Sequence, residues 1–303
     1  MIKVTVPATS ANLGPGFDSL GIALNLYNNI YMEEYDGVDI SSLDGSFVPK
    51  GENNLIYRTA KDVYDICGKP FSGLRLLQEN PIPMARGLGS SSACICAGIV
   101  GANKLLGSPL SLADMVDLAA KMEGHPDNST PAFVGGFVAA VFDGEHVTYV
   151  KTPVEKGLKF VAFIPDFPLK TSEARRALPK EISHKDAVYN LSRASLMSMA
   201  LSLKRYDLLP VAIGDKLHQP YRMGLIENSE KIFDIAYKSG AIAVYISGAG
   251  PTIMAITKEK NFFKNAVSNL KENGVSNWFV KPLTPDNSGA VVCEYNTDME
   301  VIK

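Results

Sequence analysis

The chain has 303 residues, 46% of them hydrophobic and 20% charged, which is ordinary globular composition and enough length for two buried cores. The formal net charge of −2 leaves no basic footprint and argues against a nucleic-acid binder held by phosphate contacts. No apolar run reaches membrane-spanning length. The first residues already read as a strand, so no signal peptide is expected. The four cysteines, Cys67, Cys94, Cys96 and Cys293, form no C-x-x-C pair; Cys94 and Cys96, in an apolar run, are expected to be buried free thiols, which fits a reducing cytoplasm.

In chain order, Lys3–Val6 alternates as a first strand, expected to stop at Pro7. The turn Gly14-Pro15-Gly16 follows, and Leu20, Ile22, Leu24 and Leu26 alternate out of it as a second strand. Asn12 and Asp18 flank this bend and either face each other or cap their own backbone. Asp36-Gly37 and Asp44-Gly45 predict hairpin turns. A helix with Leu55, Ile56, Ala60 and Val63 runs to Gly68, and Gly73–Leu77 is a strand leading into a glycine-rich loop.

That loop, Pro81 to Ala93, carries Gly87-Leu88-Gly89-Ser90-Ser91-Ser92 and feeds an apolar run from Cys94 to Leu106 that predicts a buried helix. A glycine loop opening a helix presents free backbone N–H groups and a positive dipole end, which suits a phosphate. The serine hydroxyls could ligate a hard cation. The alternative is a tight turn with a serine N-cap. The loop is not a Walker motif, because G-x-x-x-x-G-K-[ST] occurs nowhere in the chain.

Ser111 and Asp114 predict a capping box for the next helix. It ends at Glu123-Gly124-His125-Pro126-Asp127-Asn128, where Glu, His and Asp cluster as magnesium binding and proton transfer require. A hairpin around Asp143-Gly144 follows, and the domain boundary is placed near Pro153, giving domains 1–153 and 154–303. The second half predicts a strand at 158–164, helices at 186–204, 208–217 and 226–238, then strand, turn Ser247–Thr252, strand, helix and two strands. That order suggests an antiparallel sheet with helices on one face.

Three ordered stretches now coincide: Pro7–Asp18, the P-x-x-x-G-L-G-S-S run at Pro83–Ser91, and Ser247–Thr252. Together they resemble the motifs of the GHMP small-molecule kinases, over nearly the whole chain. The resemblance implies an α+β fold with a ribosomal protein S5 domain 2-like N-terminal domain and a ferredoxin-like C-terminal domain. It also implies ATP and Mg2+ chemistry and a homodimer. Glu123–Ala132, Thr171–Pro179 and His218–Arg222 resemble the branch that phosphorylates L-homoserine on the way to threonine; Ser129-Thr130 departs from its usual Val-Ala.

By the same resemblance, Pro83, Met84, Ala85, Arg86, Gly87, Leu88, Gly89, Ser90, Ser91 and Ser92 wrap the ATP phosphates, with Asn54 near the adenine. Ser91 and Glu123 hold Mg2+, with Asp117 as a second choice of carboxylate. Arg175 and Arg222 suit the substrate carboxylate. Asn12, Asp18 and Asp127 supply acceptors, Asp18 orienting the hydroxyl. His125 and Asn128 line the pocket, Thr252 closes it, and Asp127 is the candidate base. Two alternatives stay open: a relative acting on a mevalonate-like alcohol, and a non-catalytic sensing relative, which should have lost a loop glycine or an acidic residue that this chain retains.

Overall fold

The computed structural model describes residues 1–295. The first half builds one mixed sheet. Strand β1 (Ile2–Ala11) pairs antiparallel with the long β2 (Leu20–Glu34). Pro7 does not stop β1: the register shifts between Pro7 and Ala8, and the strand continues. Proline cannot donate to the ladder, and a local irregularity accommodates the missing N–H.

Strand β3 (Gly37–Ser42) does not form the hairpin expected at Asp36-Gly37. It pairs in parallel with β4 (Gly73–Glu79), reached through helix α1 (Leu55–Ile66), and β4 inserts between β3 and β2. Asp44-Gly45 is likewise no hairpin. The Asp44 carboxylate accepts from the Asn80 and Ser46 N–H groups and the Ser42 hydroxyl. These bonds hold it near pH 2 against the opposing effect of burial.

Helices α2 (Ser90–Leu105), α3 (Leu112–Glu123) and α4 (Pro126–Val134) come next, followed by hairpin β5 (Phe137–Phe142) and β6 (Val147–Thr152). β5 pairs with the first residues of β2, so one long strand serves two neighbours on the same side. The expected capping box forms at Ser111 and Asp114. Helix α2 is buried on most sides through Ala93, Ile95, Cys96, Ala97, Ile99 and Ala102, as its unbroken apolar run predicts.

The second half opens with β7 (Lys159–Pro165), the short α5 (Thr171–Arg176) and the long α6 (His184–Ser202), N-capped by Ser183. Where one helix was expected at 208–217 only the short α7 (Leu209–Ala212) forms, and a second short helix, α8 (Gln219–Arg222), follows beyond it. Asp215 breaks the run, its carboxylate accepting from the N–H groups of Leu217, His218 and Gln219. Helix α9 (Ser229–Lys238), β8 (Ala243–Ile246), β9 (Ile253–Thr257), α10 (Phe262–Glu272) and β10 (Trp278–Leu283) complete a four-stranded antiparallel sheet in the order β10-β7-β9-β8.

Alternate residues of that sheet enter two cores. Val161, Phe163, Val244, Ile246 and Ile253 pack with Ile232, Ile235, Phe262 and Leu270 of α9 and α10. Phe160, Ala162, Tyr245, Met254 and Ile256 join Met197, Leu201 and Leu209 in the cluster that also holds the first sheet's core. The second sheet is therefore covered on both faces, not one. The last strand, β11 (Val291–Glu294), returns to pair with β1, so part of the segment assigned to the second domain completes the first sheet.

Candidate active site

The glycine loop sits where the two halves meet. Gly87 and Gly89 have φ of +73° and +71°, in the left-handed region that glycine tolerates. A Cβ at Gly87 would lie 2.3 Å from the Ser247 carbonyl oxygen, and one at Gly89 2.0 Å from Thr9 Oγ1. Around them the backbone is pinned from both halves. The Thr9 N–H donates to Leu88 O at 3.2 Å, the Thr252 N–H to Arg86 O at 3.3 Å, and Ser247 Oγ to Gly87 O at 2.6 Å.

Helix α2 begins at Ser90 itself, with left-handed Gly89 at the cap position and no side-chain cap among the described residues. The serine N-cap reading therefore does not hold: the serines fill the first turn, and helix geometry leaves their N–H groups without intrahelical acceptors. Open donors, a positive dipole end and no acidic residue in the first turn make an anion cradle.

The cradle opens into a cleft of about 420 Å3, whose wall includes Ala85, Arg86, Gly87, Gly89 and Ser90–Ser92. Pro83, Met84 and Leu88 frame the loop without reaching that wall, Leu88 being fully buried. The Arg86 guanidinium is turned to main-chain carbonyls of Pro165, Asp166 and Met84.

Glu123, the last residue of α3, faces the cradle and accepts a 2.6 Å hydrogen bond from Ser92 Oγ. Burial raises its carboxyl to about 7, helped by the charge of Asp127 and opposed by Ser92, His125 and Ser91. Asp117 points elsewhere, accepting from the Val147 N–H and pairing with His146 Nδ1, both at 2.7 Å. Of the two carboxylates considered for Mg2+, only Glu123 lies on the cleft wall. A carboxylate and serine hydroxyls beside a phosphate cradle are the hard oxygen donors this ion takes, so the donor set fits.

The other end of the cleft is polar and crowded. Asn12 Nδ2 donates to Gly248 O at 2.8 Å, and its Oδ1 accepts from the Asp18 N–H at 3.1 Å. Asn12 therefore braces the turn rather than facing the Asp18 carboxylate. That carboxylate receives two bonds from Arg175, at 2.8 and 3.0 Å. Asp127, 2% exposed, meets His125 Nδ1 at 2.7 Å. Burial opposes the charge on His125, yet the bond and charge of Asp127, with Glu123 and Asp18 adding, hold its pKa above the ordinary value. Ligand atoms of Asp18, His125 and Asp127 lie within 4.8 Å of one another; Arg175 and the His–Asp bond engage them in part and leave carboxylate lone pairs open to a ligand. Asn128 Oδ1 accepts from Thr9 Oγ1 at 2.9 Å.

Arg222 is 2% exposed and reaches the same cleft. It donates to Gly248 O at 3.0 Å, and its Nη1 lies 3.1 Å from His218 Nδ1. His218 Nε2 lies 2.8 Å from Gly14 O and donates to it, which leaves Nδ1 as the acceptor for Arg222. Among the described residues no carboxylate forms an ion pair with Arg222. Burial, then repulsion from Arg175, lower its pKa to about 10 against the pull of Asp18, Asp215 and Asp127. It stays charged at neutral pH, a buried cation lacking an anion.

Besides Pro83, Met84 and Leu88, two further expected residues, Asn54 and Thr252, lie off the wall. Asn54 N-caps α1, accepting from the Ile56 and Tyr57 N–H groups and donating to Pro49 O. Thr252 is fully buried behind the loop. Sequence reasoning missed Thr9, which wedges against Gly89, and the wall residues Leu55, Arg58, Ile95 and Met122. Thr9 lay within the Pro7–Asp18 stretch, and the signal for the other four was their place on helix faces beside the loop.

A helix-borne phosphate cradle beside a small pocket of paired charges defines an ATP-dependent small-molecule kinase. The chain belongs to the GHMP kinases: the family's N-terminal domain model matches residues 54–136 and its C-terminal model residues 194–276. A homoserine kinase from Caldicellulosiruptor bescii is 50% identical over 299 residues, covering 96% of this chain and 97% of that protein. One from Clostridium beijerinckii is 47% identical over 297 residues, covering 97% and 99%. The crystal structure of homoserine kinase from Cytophaga hutchinsonii superposes with a TM-score of 0.84 at 28% identity, covering 96% of this chain and 97% of that one.

Proposed function

We propose that this chain transfers the γ-phosphoryl group of ATP to the hydroxyl of L-homoserine, giving ADP and O-phospho-L-homoserine for threonine synthesis. The observation that carries the substrate choice is Arg222. A buried guanidinium without a carboxylate partner, open to a cleft, is completed by a ligand carboxylate. The identity to homoserine kinases over nearly the full chain supports the same substrate.

The N–H groups of Ser90–Ser92 bind the phosphates. Mg2+, held by Ser91 and Glu123, would supply charge neutralisation across the transferring group. Arg222, with Arg175 beside it, takes the substrate carboxylate, while Asp18 and Asp127 accept from its ammonium and hydroxyl. The substrate oxygen forms the new bond to γ-phosphorus as the bond to the β-phosphate bridge breaks. Asp127 receives the hydroxyl proton, with His125 fixing the carboxylate that takes it. Most of the acceleration comes from positioning and charge placement.

The test is ADP release with Mg-ATP and, in parallel, L-homoserine, mevalonate, galactose or water. Turnover with L-homoserine alone is expected, and turnover confined to another alcohol overturns the substrate. Within that assay Asp127→Asn should lower kcat by roughly 10²–10⁴-fold; a loss under about tenfold removes Asp127 from the proton step.

A further inference from the structure

We infer that Arg58 is a nucleotide-binding residue that grips the α- and β-phosphates from across the cleft; this rests on the kinase reading above. Arg58 lies on the cleft wall one helical turn after Leu55, so both side chains leave the same face of α1. Helices α1 and α2 approach closely because position 98 is glycine: a Cβ there would lie 2.7 Å from Thr59 Cβ and 2.8 Å from Ile56 O. That approach sets the first turns of α1 against the middle of α2, and Leu55 and Arg58 line the same cleft as Ile95 and Ser90–Ser92.

The charge inventory of the cleft singles this residue out. Among the described residues no lysine lies on the wall, and its cations are four arginines and a histidine. Arg86 is bound to main-chain carbonyls. Arg175 is held by Asp18, and Arg222 is buried at the acceptor end against Gly248 O. His125 is engaged with Asp127. Arg58 alone of these has an exposed guanidinium with no hydrogen-bond or ion-pair partner among the described residues. A polyphosphate entering beside an uncommitted guanidinium gains charge-assisted hydrogen bonds that the backbone cradle cannot add. The neighbouring apolar wall of Leu55, Ile95 and Met122 suits the base instead.

The experiment compares binding of ADP and of adenosine to wild type, Arg58→Ala and Arg58→Lys by calorimetry, with steady-state kinetics alongside. Arg58→Ala should weaken ADP about tenfold and raise KM for ATP equally. Adenosine binding and KM for the acceptor alcohol should stay unchanged, with Arg58→Lys intermediate. Equal loss of ADP and adenosine would place Arg58 on the base and overturn the phosphate role. Unchanged ADP affinity in Arg58→Ala would make it a surface arginine. A wild-type chain that binds no ADP would overturn the kinase reading and this inference together.

Discussion

Glu123 shows how one carboxylate can cost stability in order to serve a site. Its carboxyl titrates near 7 in the fold against 4.5 without it. Between these values the folded chain holds a proton that the unfolded chain releases, so stability falls as pH rises from 4.5 to 7 and the full penalty remains above 7. The shift corresponds to up to about 3 kcal/mol. Glu123→Gln should therefore melt higher than wild type at pH 8 and nearly with it at pH 4.5, while losing Mg-ATP turnover. Equal melting temperatures at pH 8 would remove the buried-charge argument. The type of residue needed here was legible in the run of Glu, His, Asp and Asn at the end of α3. The burial of Arg222 was not, because a polar stretch such as His218-Gln219-Pro220-Tyr221-Arg222 reads as surface until β8 and the Gly14 turn close over it.

At the scale of the element, α2 is open to an anion because nothing of its own caps it. Its apolar run was plain in the sequence. Its start was not, since a serine triplet is a reasonable cap and only tertiary contact decides that Gly89 takes that place. The same limit explains β3: local turn chemistry at Asp36-Gly37 predicts a hairpin, while strand order is settled by what α1 returns to the sheet. Gly89→Ala tests the cradle directly. The added methyl meets Thr9 Oγ1 at 2.0 Å and forces a left-handed alanine, so the loop must shift. We expect KM for ATP to rise at least about tenfold, the left-handed strain alone being of order 1–3 kcal/mol, with circular dichroism unchanged. Unaltered KM for ATP would show that the cradle tolerates displacement.

For the whole molecule, the question is what makes two sheets present one site. A buried chain of hydroxyls joins them: Tyr245 Oη lies 2.9 Å from Ser10 Oγ, which lies 2.7 Å from Ser247 Oγ, which donates to Gly87 O. A carbonyl can only accept, so Ser247 spends its proton there, Ser10 donates to Ser247, and Tyr245 donates to Ser10. The direction is thus fixed by the glycine loop, and the chain ties β8 and β1 to it. No sequence pattern announces this, because Ser10, Tyr245 and Ser247 meet only once both domains have docked. Loss of the last link should matter more to the ligand than loss of the first. Ser247→Ala strips Gly87 O of its side-chain donor, and an unpaired, partly buried acceptor costs up to about 1–3 kcal/mol. Part of that should appear as ADP binding weakened about tenfold. Tyr245→Phe leaves the Ser10–Ser247–Gly87 links intact, so it should lower the melting temperature without changing ADP affinity. Equal loss of affinity in both variants would mean that the chain stabilises the domain junction without positioning the loop.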